Sequence, residues 1–302
     1  MIFKKIIQFY LLSMIFHTIS YSQQLVTYPL YNNTNEVIPD NSVSTVPTIG
    51  ICGDIANSDY KIGHNNDFTV RVKKDNDNDW KDLFEYNTFV NSSTGDLSGV
   101  SKSSFVSFDY SGTVNIEITC NNFSSISGKV LIRPLSRNIT QSISGNVLTL
   151  TLTSPPEFDA WNGKSYSDKL SIELNGNRYR NLHIFANKIH NYTTPTGPAV
   201  VVFEKVNNGT SNNIYNKSLW DGVSKKIIIK EGAIVIVPYS PYFESNYSTI
   251  LMQSNDEIYI EGGGVLKGGI NAHDVENIKI YGRGIIDLTN LPKQYTKNQN
   301  SY

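Results

Sequence analysis

Acidic residues accompany three similar segments in the last third of the chain, and two carboxyl groups held close together can serve as a general acid and a general base. The segments are IIIKEGAIV at 227–235, IYIEGGGVL at 258–266 and IKIYGRGII at 278–286. Their alignment puts Asp256 and Glu276 in equivalent positions, with Lys225 at the same place before the first segment. The three residues form either an acid pair or a solvated ladder of charges. The ladder is the favoured interpretation because exposed ion pairs are common and weak.

The repeat itself indicates how these residues are positioned. Each segment reads as a strand, a bend rich in glycine and a second strand, and it starts with Ile227, Ile258 or Ile278. One such unit cannot bury its apolar face alone, so successive units are expected to stack as a solenoid. The pattern predicts a parallel β-helix, which the general rule for parallel crossovers makes right-handed. The alternative is an antiparallel meander, which the spacing of 20 residues between the last two segments disfavours.

A different pattern precedes the repeat. Short runs in which apolar and polar residues alternate are separated by turns with Gly or Asn, as half-buried strands require. The clearest runs are 68–72, 114–118, 130–132, 147–152, 170–174 and 182–185. The predicted fold is therefore all-β, with an antiparallel β-sandwich over 23–195 and the start of a right-handed parallel β-helix over 196–302.

The N-terminus and the charge balance limit the class of protein. Residues 1–22 have a basic start at Lys4 and Lys5, an apolar stretch and small residues before Gln23, which predicts a cleaved secretory signal peptide. No later stretch is long and apolar enough to predict a membrane span. Lys and Arg total 26 and Asp and Glu total 27, so the chain has no basic excess with which to bind nucleic acid. A secreted protein, extracellular or periplasmic, is expected.

Other residues that could do chemistry give weaker signals. Cys52 and Cys120 form either one disulfide or two separate buried thiols, and neither has the spacing of a metal site. No cofactor or metal is predicted. The run DNDND at 75–79 starts like a calcium loop, but Trp80 stands where that loop needs glycine, which favours a hairpin tip. Five aromatic residues could either stack on sugar rings or pack internally: Trp80, Trp161, Trp220, Tyr239 and Tyr242.

Several of these stretches resemble a known enzyme family. Residues 105–118, 130–136 and 180–187 are similar to the N-terminal sandwich of glycoside hydrolase family 49, which includes dextranases and isopullulanases. Residues 258–268 and 280–287 look like the opening coils of the pectin-lyase-like β-helix in that family. Similar coils open the polygalacturonases of family 28, so the order of the two modules is the more specific feature.

The resemblance implies an activity and the place of its catalytic groups. Family 49 enzymes are secreted and hydrolyse α-glucosidic bonds of polysaccharides with inversion, using aspartates several coils beyond the sandwich. These aspartates are expected beyond Tyr302, so no residue of the chain is assigned as catalytic and the substrate-binding residues are unknown. The prediction is the N-terminal portion of a glycosidase for an α-glucan such as dextran or pullulan. A non-catalytic carbohydrate-binding or structural β-protein and a polygalacturonase-like pectin hydrolase are the alternatives.

The partners follow from this interpretation. The main expected partner is a polysaccharide. An uncapped solenoid also exposes the apolar cross-section and unpaired strand edges of its last coil. The stretch after Leu288 is polar and lacks an amphipathic helical pattern, so it would cap that end poorly. Self-association through the end of the β-helix is predicted.

Overall fold

The computed structural model describes residues 23–28, 37–38, 62–91, 100–126, 128, 130–153, 168–205, 213–238 and 248–288. The predicted signal peptide and Cys52, Trp161, Tyr239 and Tyr242 lie outside these residues. Among the helices of the described part, none has the length and apolar character that crossing a bilayer requires.

Strands are the main secondary structure of the described chain, which has very little helix. Those of the first part are β1 (Gln24–Tyr28), β2 (Val37–Ile38), β3 (Ile62–Gly63), β4 (Phe68–Lys74), β5 (Lys81–Asp82), β6 (Tyr86–Asn91), β7 (Val100–Ser111), β8 (Thr113–Cys120), β9 (Val130–Arg133), β10 (Thr140–Ser144), β11 (Val147–Thr153), β12 (Asp168–Leu174) and β13 (Asn177–Lys188). Those of the second part are β14 (Val200–Phe203), β15 (Lys226–Ile229), β16 (Ile234–Ile236), β17 (Thr249–Leu251), β18 (Glu257–Ile260), β19 (Val265–Lys267), β20 (Gly269–Asn271), β21 (Lys279–Gly282) and β22 (Ile285–Asp287). A one-turn helix at Lys217–Trp220 lies between β14 and β15.

The first part is the predicted β-sandwich. One sheet has the order β1-β7-β13-β12-β9, with β6 also pairing with β7, and the other has the order β10-β11-β8-β4-β5. Alternate residues of both sheets, such as Ile116 and Ile184, are fully buried in one shared core. This alternation is what a sheet with one dry and one wet face requires. Of the described pairings within these two sheets, only that of β7 with β13 is parallel.

The second part is the predicted start of a parallel β-helix. Strands β14, β15, β18 and β21 form one sheet, β16, β19 and β22 form a second, and β17 and β20 form a third. All these pairs are parallel, and Ile227 pairs directly with Ile258. Both isoleucines are fully buried in the core that the coils enclose. The salt bridge from Lys230 Nζ to Glu261 Oε1, at 2.7 Å, joins the turns of two successive coils.

The register of the third coil differs from the prediction. Ile258 pairs with Ile280 instead of Ile278, whereas Val265 pairs with Ile285 as the alignment of the segments implied. The turn after β18 has four residues and the turn after β21 has two, so the first strand of the third coil is displaced by two positions. Gly282 makes the shorter turn with a φ of 124°, a conformation that side chains disfavour. Its missing Cβ would lie 1.9 Å from the Ile260 carbonyl oxygen.

The last described coil exposes apolar side chains. Ile280 and Ile286 occupy positions that are buried in the preceding coil, yet they are 44% and 41% exposed. The predicted self-association would use this end of the solenoid, and it remains a prediction.

An apolar contact joins the sandwich to the β-helix. The outer face of the second helical sheet presents the column Ile234, Val265 and Ile285, which packs against Tyr86 and Phe105 of the sandwich. The rings of Tyr86 and Phe105 stack with their centroids 4.7 Å apart. Hydrophobic burial therefore supports one fixed arrangement of these elements.

Tyr28 extends this contact from the first strand of the sandwich to a turn of the β-helix. A Cβ added to Gly262 would lie 2.0 Å from Cδ1 of the Tyr28 ring, so the ring lies directly against the backbone of that turn. Burial is the main reason that the pKa of Tyr28 is raised to about 12. This tyrosine stays neutral at physiological pH and packs as an aromatic side chain.

Replacing Gly262 by alanine is expected to lower the free energy of unfolding by about 1–3 kcal/mol, because the new methyl group overpacks the contact with Tyr28. Urea unfolding of the variant measures the loss. In a double-mutant cycle with Tyr28→Ala, Gly262→Ala should lower the free energy of unfolding much less, because the ring is absent. Equal costs in the two backgrounds would show that the ring does not fill this space.

Candidate functional site

A groove lies where the segment after β13 runs beside the outer face of the sheet β14-β15-β18-β21. Its volume is about 710 Å³, and it is open to solvent. Residues from the segment and from the sheet line it together: His190, Asn191, Tyr192, Thr193, Thr194, Pro195, Thr196, Lys226, Glu257, Ile278, Lys279, Ile280 and Tyr281.

The strand register arranges the outer face of the sheet in two columns. Because strand residues alternate between faces, Ile227 and Ile258 point into the coil while their neighbours point outward. One column contains Lys226, Glu257 and Lys279, and the other contains Ile228, Tyr259 and Tyr281. Successive members of each column come from adjacent coils, so charged groups and phenol rings lie side by side.

Aromatic rings form a cluster at this surface. The ring centroids of Tyr259 and Tyr281 are 5.1 Å apart, and Tyr192 from the crossing segment lies 5.8 Å from Tyr281 and 6.1 Å from Tyr259. His190 meets Tyr192 edge to face at 4.3 Å. Most of these distances are typical of favourable aromatic pairs. The crossing segment is thereby packed onto the sheet by its rings.

Glu257 is the centre of the charged column. Tyr281 donates a hydrogen bond to Glu257 Oε1 at 2.5 Å, and the same phenol oxygen lies 2.9 Å from the carbonyl oxygen of Thr193. The ammonium groups of Lys226 and Lys279 each lie 3.9 Å from the carboxylate of Glu257. Burial raises the pKa of Tyr281 above its ordinary value, and the hydrogen bond and negative charge of Glu257 raise it further. The phenol is therefore a neutral donor at physiological pH.

Arg283 fixes the position of Tyr192 in the groove. Its Nη1 donates to the hydroxyl of Tyr192 at 2.5 Å, and its Nε donates to both carboxylate oxygens of Asp109 at 2.8 Å. Its Nη2 donates to the carbonyl oxygen of Lys188 at 2.9 Å. Asp109 belongs to β7, so one side chain ties the β-helix, the sandwich and the crossing segment together. Burial raises the pKa of Asp109, and the hydrogen bond and charge of Arg283 oppose this rise.

The groups that line the groove can bind a ligand. An inverting glycosidase needs two carboxyl groups about 6.5–9.5 Å apart, with room for water between them. Among the described residues that line the groove, Glu257 is the only acidic one. Aromatic rings, hydroxyl groups, amides and ammonium groups together suit a ligand that has both apolar faces and hydroxyl groups. No group of three or more His, Cys, Asp or Glu residues within the described ranges is arranged to hold a metal ion.

The predicted pairing of Asp256 with Glu276 is wrong, but the predicted position of Lys225 beside Asp256 is confirmed. Because Glu257 pairs with Lys279, the position opposite Asp256 is Ile278, and Glu276 lies two residues away from it. Asp256 forms a salt bridge with Lys225 Nζ at 2.9 Å, and the pair is buried instead of solvated. Glu276 is exposed. The shortened turn after β21 causes the misalignment.

Two of the predicted aromatic candidates pack against protein groups. Trp80 lies beneath Arg71 and Lys73, at 4.8 and 5.1 Å from its ring centroid. Trp220 packs against Phe203 and Tyr215 in the coil core. Tyr192, Tyr259 and Tyr281 were not predicted from the sequence. The equivalent strands 258–260 and 280–282, which read IYI and IYG, carried a signal for two of them that the incorrect register hid.

Two further candidates of the sequence analysis lie in the sandwich. The run 75–79 follows β4 and leads to β5, which pairs antiparallel with β4, so it is the predicted hairpin tip. Cys120 is fully buried at the end of β8, and burial raises the pKa of its thiol to about 11. Because Cys52 lies outside the described residues, the disulfide with Cys120 stays a prediction.

Comparison with solved structures gives a structural likeness, whereas the sequence comparisons find no match. No family model matches the chain, and no curated protein matches it. Among solved structures, Dex49A from Penicillium minioluteum matches 76% of this chain with a TM-score of 0.52 and 16% sequence identity. The match covers 47% of that structure, so the chain spans about half of its length. This likeness shows a β-rich fold like that of a glycoside hydrolase family 49 enzyme.

Proposed function

We propose that the chain forms the sandwich and first coils of a secreted glycoside hydrolase that cleaves an α-glucan, such as dextran or pullulan, with inversion. The observation that carries this proposal is the likeness to Dex49A, which extends over 76% of the chain. The leader-like pattern of residues 1–22 supports secretion.

In this proposal the described coils bind glucan, and cleavage belongs to other coils of the same fold. The groove supports a binding role because its rings and polar groups match the two kinds of surface that a sugar presents. Its lining includes one carboxylate where inversion needs two carboxyl groups. No described residue is proposed as a catalytic acid. The same observation favours a second candidate function, that of a carbohydrate-binding protein without catalysis.

The test uses the protein as its source secretes it, isolated from culture medium with an antibody raised against the sandwich. The isolated protein is expected to release reducing sugars from dextran or pullulan. Nuclear magnetic resonance should detect the β-anomer first, since inversion of an α-linkage produces it.

Three other results would reject the proposal in different ways. Binding of glucan without release of reducing sugars would favour the carbohydrate-binding function. Release from polygalacturonate instead of glucan would indicate the pectin hydrolase. Neither binding nor release on any of the three polymers would reject an α-glucan function altogether.

A further inference from the structure

We propose that the groove between the crossing segment 190–196 and the sheet β15-β18-β21 is a binding site for a stretch of neutral glucan chain. This inference rests on the proposed function and deepens it, because it names the residues of this chain that hold the polymer. The groove of about 710 Å³ is open to solvent, so a long polymer can lie in it without being threaded through a closed cavity.

The groove offers both aromatic and polar contacts to a sugar. Tyr281 and Tyr192 provide phenol rings, and a pyranose ring has C–H faces that pack against aromatic surfaces. Thr193, Thr194 and Asn191 of the crossing segment are exposed, and their hydroxyl and amide groups can exchange hydrogen bonds with sugar hydroxyls. An amphipathic ligand can contact both the rings and the polar groups, whereas a purely apolar ligand would leave the polar groups without hydrogen-bond partners.

The charges favour a neutral polymer over a polyuronate. The carboxylate of Glu257 already lies 3.9 Å from each of two ammonium groups and accepts the hydrogen bond of Tyr281. The carboxylate of Glu257 therefore needs no cationic ligand to neutralise it. One formal positive charge remains, and the side chain of Lys279 is 69% exposed, so solvent and salt screen it. A uronate chain would also place its carboxylates near that of Glu257.

The groove is held in shape before any ligand arrives. Tyr281 is bound to Glu257 and lies within hydrogen-bond distance of the Thr193 carbonyl, and Tyr192 is bound to Arg283. Each tie joins the crossing segment or a ring to a strand of the β-helix. A preformed surface loses little conformational entropy when it binds, which favours binding of a flexible polymer.

Affinity gel electrophoresis in dextran tests the proposal, with pullulan and polygalacturonate gels run in parallel. Tyr281→Ala removes a ring and its hydroxyl, and binding of dextran should weaken about tenfold. Thr194→Arg leaves the sheet intact and fills the groove from its exposed side with a long side chain that has no aromatic ring, so it should weaken binding at least as much. Leu135→Ala is the matched control, since Leu135 is 60% exposed on a separate depression of the sandwich.

The outcomes separate this inference from the proposed function. Loss of dextran binding in both groove variants, with Leu135→Ala unchanged and all three equally stable to heat, would support the groove. If the wild-type protein binds dextran and both groove variants bind it equally well, the assignment of the groove as the binding site is wrong while the proposed function stands. Salt-sensitive binding to polygalacturonate alone would overturn the choice of ligand. If Tyr281→Ala is unstable, the dextran binding of Thr194→Arg decides.

Discussion

Replacing Asp256 by asparagine should lower the free energy of unfolding by about 3–5 kcal/mol, because it leaves the charge of Lys225 buried without a counterion. The side chains of Lys225 and Asp256 are 2% and 0% exposed, and they lie immediately before the first strands of two successive coils. The amide nitrogens of Lys225 and Gln253 each donate to the carboxylate of Asp256 at 2.7 Å. Lys225 Nζ also donates to the carbonyl oxygen of Leu251 at 2.8 Å. The two side chains thus provide hydrogen-bond partners for nearby backbone groups as well as a counterion for each other.

Urea unfolding compares this variant with a double variant and with an exposed pair. Lys225→Met combined with Asp256→Asn removes both charges and keeps an acceptor for the backbone, so it should be more stable than Asp256→Asn alone. Glu261→Gln is the control because the Lys230–Glu261 pair joins the same two coils but is 38% and 24% exposed. Its loss should stay within about 1 kcal/mol. Equal losses for Asp256→Asn and Glu261→Gln would contradict the role assigned to burial.

The strands of both modules could be predicted from local patterns. In 114–118 and 147–152, apolar residues alternate with polar ones, and β8 and β11 form there with their apolar residues buried. The Ile-rich segments predicted stacked parallel coils because three units share one pattern, and Ile227 does lie beside Ile258. These features depend on residues within one strand or one repeat, which a sequence displays directly.

The third coil and the groove depend on information that local patterns lack. The glycines of 262–264 and 282–284 look equivalent in sequence, but their turns differ by two residues, and this moves Asp256 out of line with Glu276. The groove combines Tyr281 with Thr193, which is 88 residues away, through a contact made by a carbonyl oxygen. Every residue has a backbone carbonyl acceptor, so neither composition nor spacing indicates which carbonyl makes such a contact.

The contact between the modules illustrates the same limit. Ile234, Val265 and Ile285 were expected in strands, yet both faces of such strands are apolar and only the tertiary arrangement assigns one face to the coil core and the other to the sandwich. Asp109 is 1% exposed in the sandwich, and its partner Arg283 is 174 residues later in the chain. A buried carboxylate within an alternating strand gives no indication of where its counterion comes from.

Replacing Arg283 by alanine should lower the free energy of unfolding by about 3 kcal/mol at neutral pH, because the carboxylate of Asp109 then stays buried without its cation. The Arg283 side chain is 19% exposed and that of Asp109 is 2% exposed. Arg133→Ala is the control, since Arg133 binds Glu173 at 2.7 Å on the sandwich surface and is 53% exposed. That loss should be within about 1 kcal/mol.

The pH dependence of this loss distinguishes a buried charge from lost packing. Burial raises the pKa of Asp109 in the folded protein, and without Arg283 only the hydrogen bond of Asn187 and the charge of His190 are left to oppose that rise. Between the unfolded pKa, about 3.9, and the raised folded value, the folded state binds more protons than the unfolded state. Stability of the alanine variant relative to wild type should therefore recover as the pH falls from 8 towards 4. Arg283→Ala combined with Asp109→Asn has no carboxyl group to titrate there, so its deficit should be independent of pH. A deficit of Arg283→Ala that is equally large at pH 8 and pH 4.5 would mean that packing, and not the unpaired carboxylate, accounts for the role of Arg283.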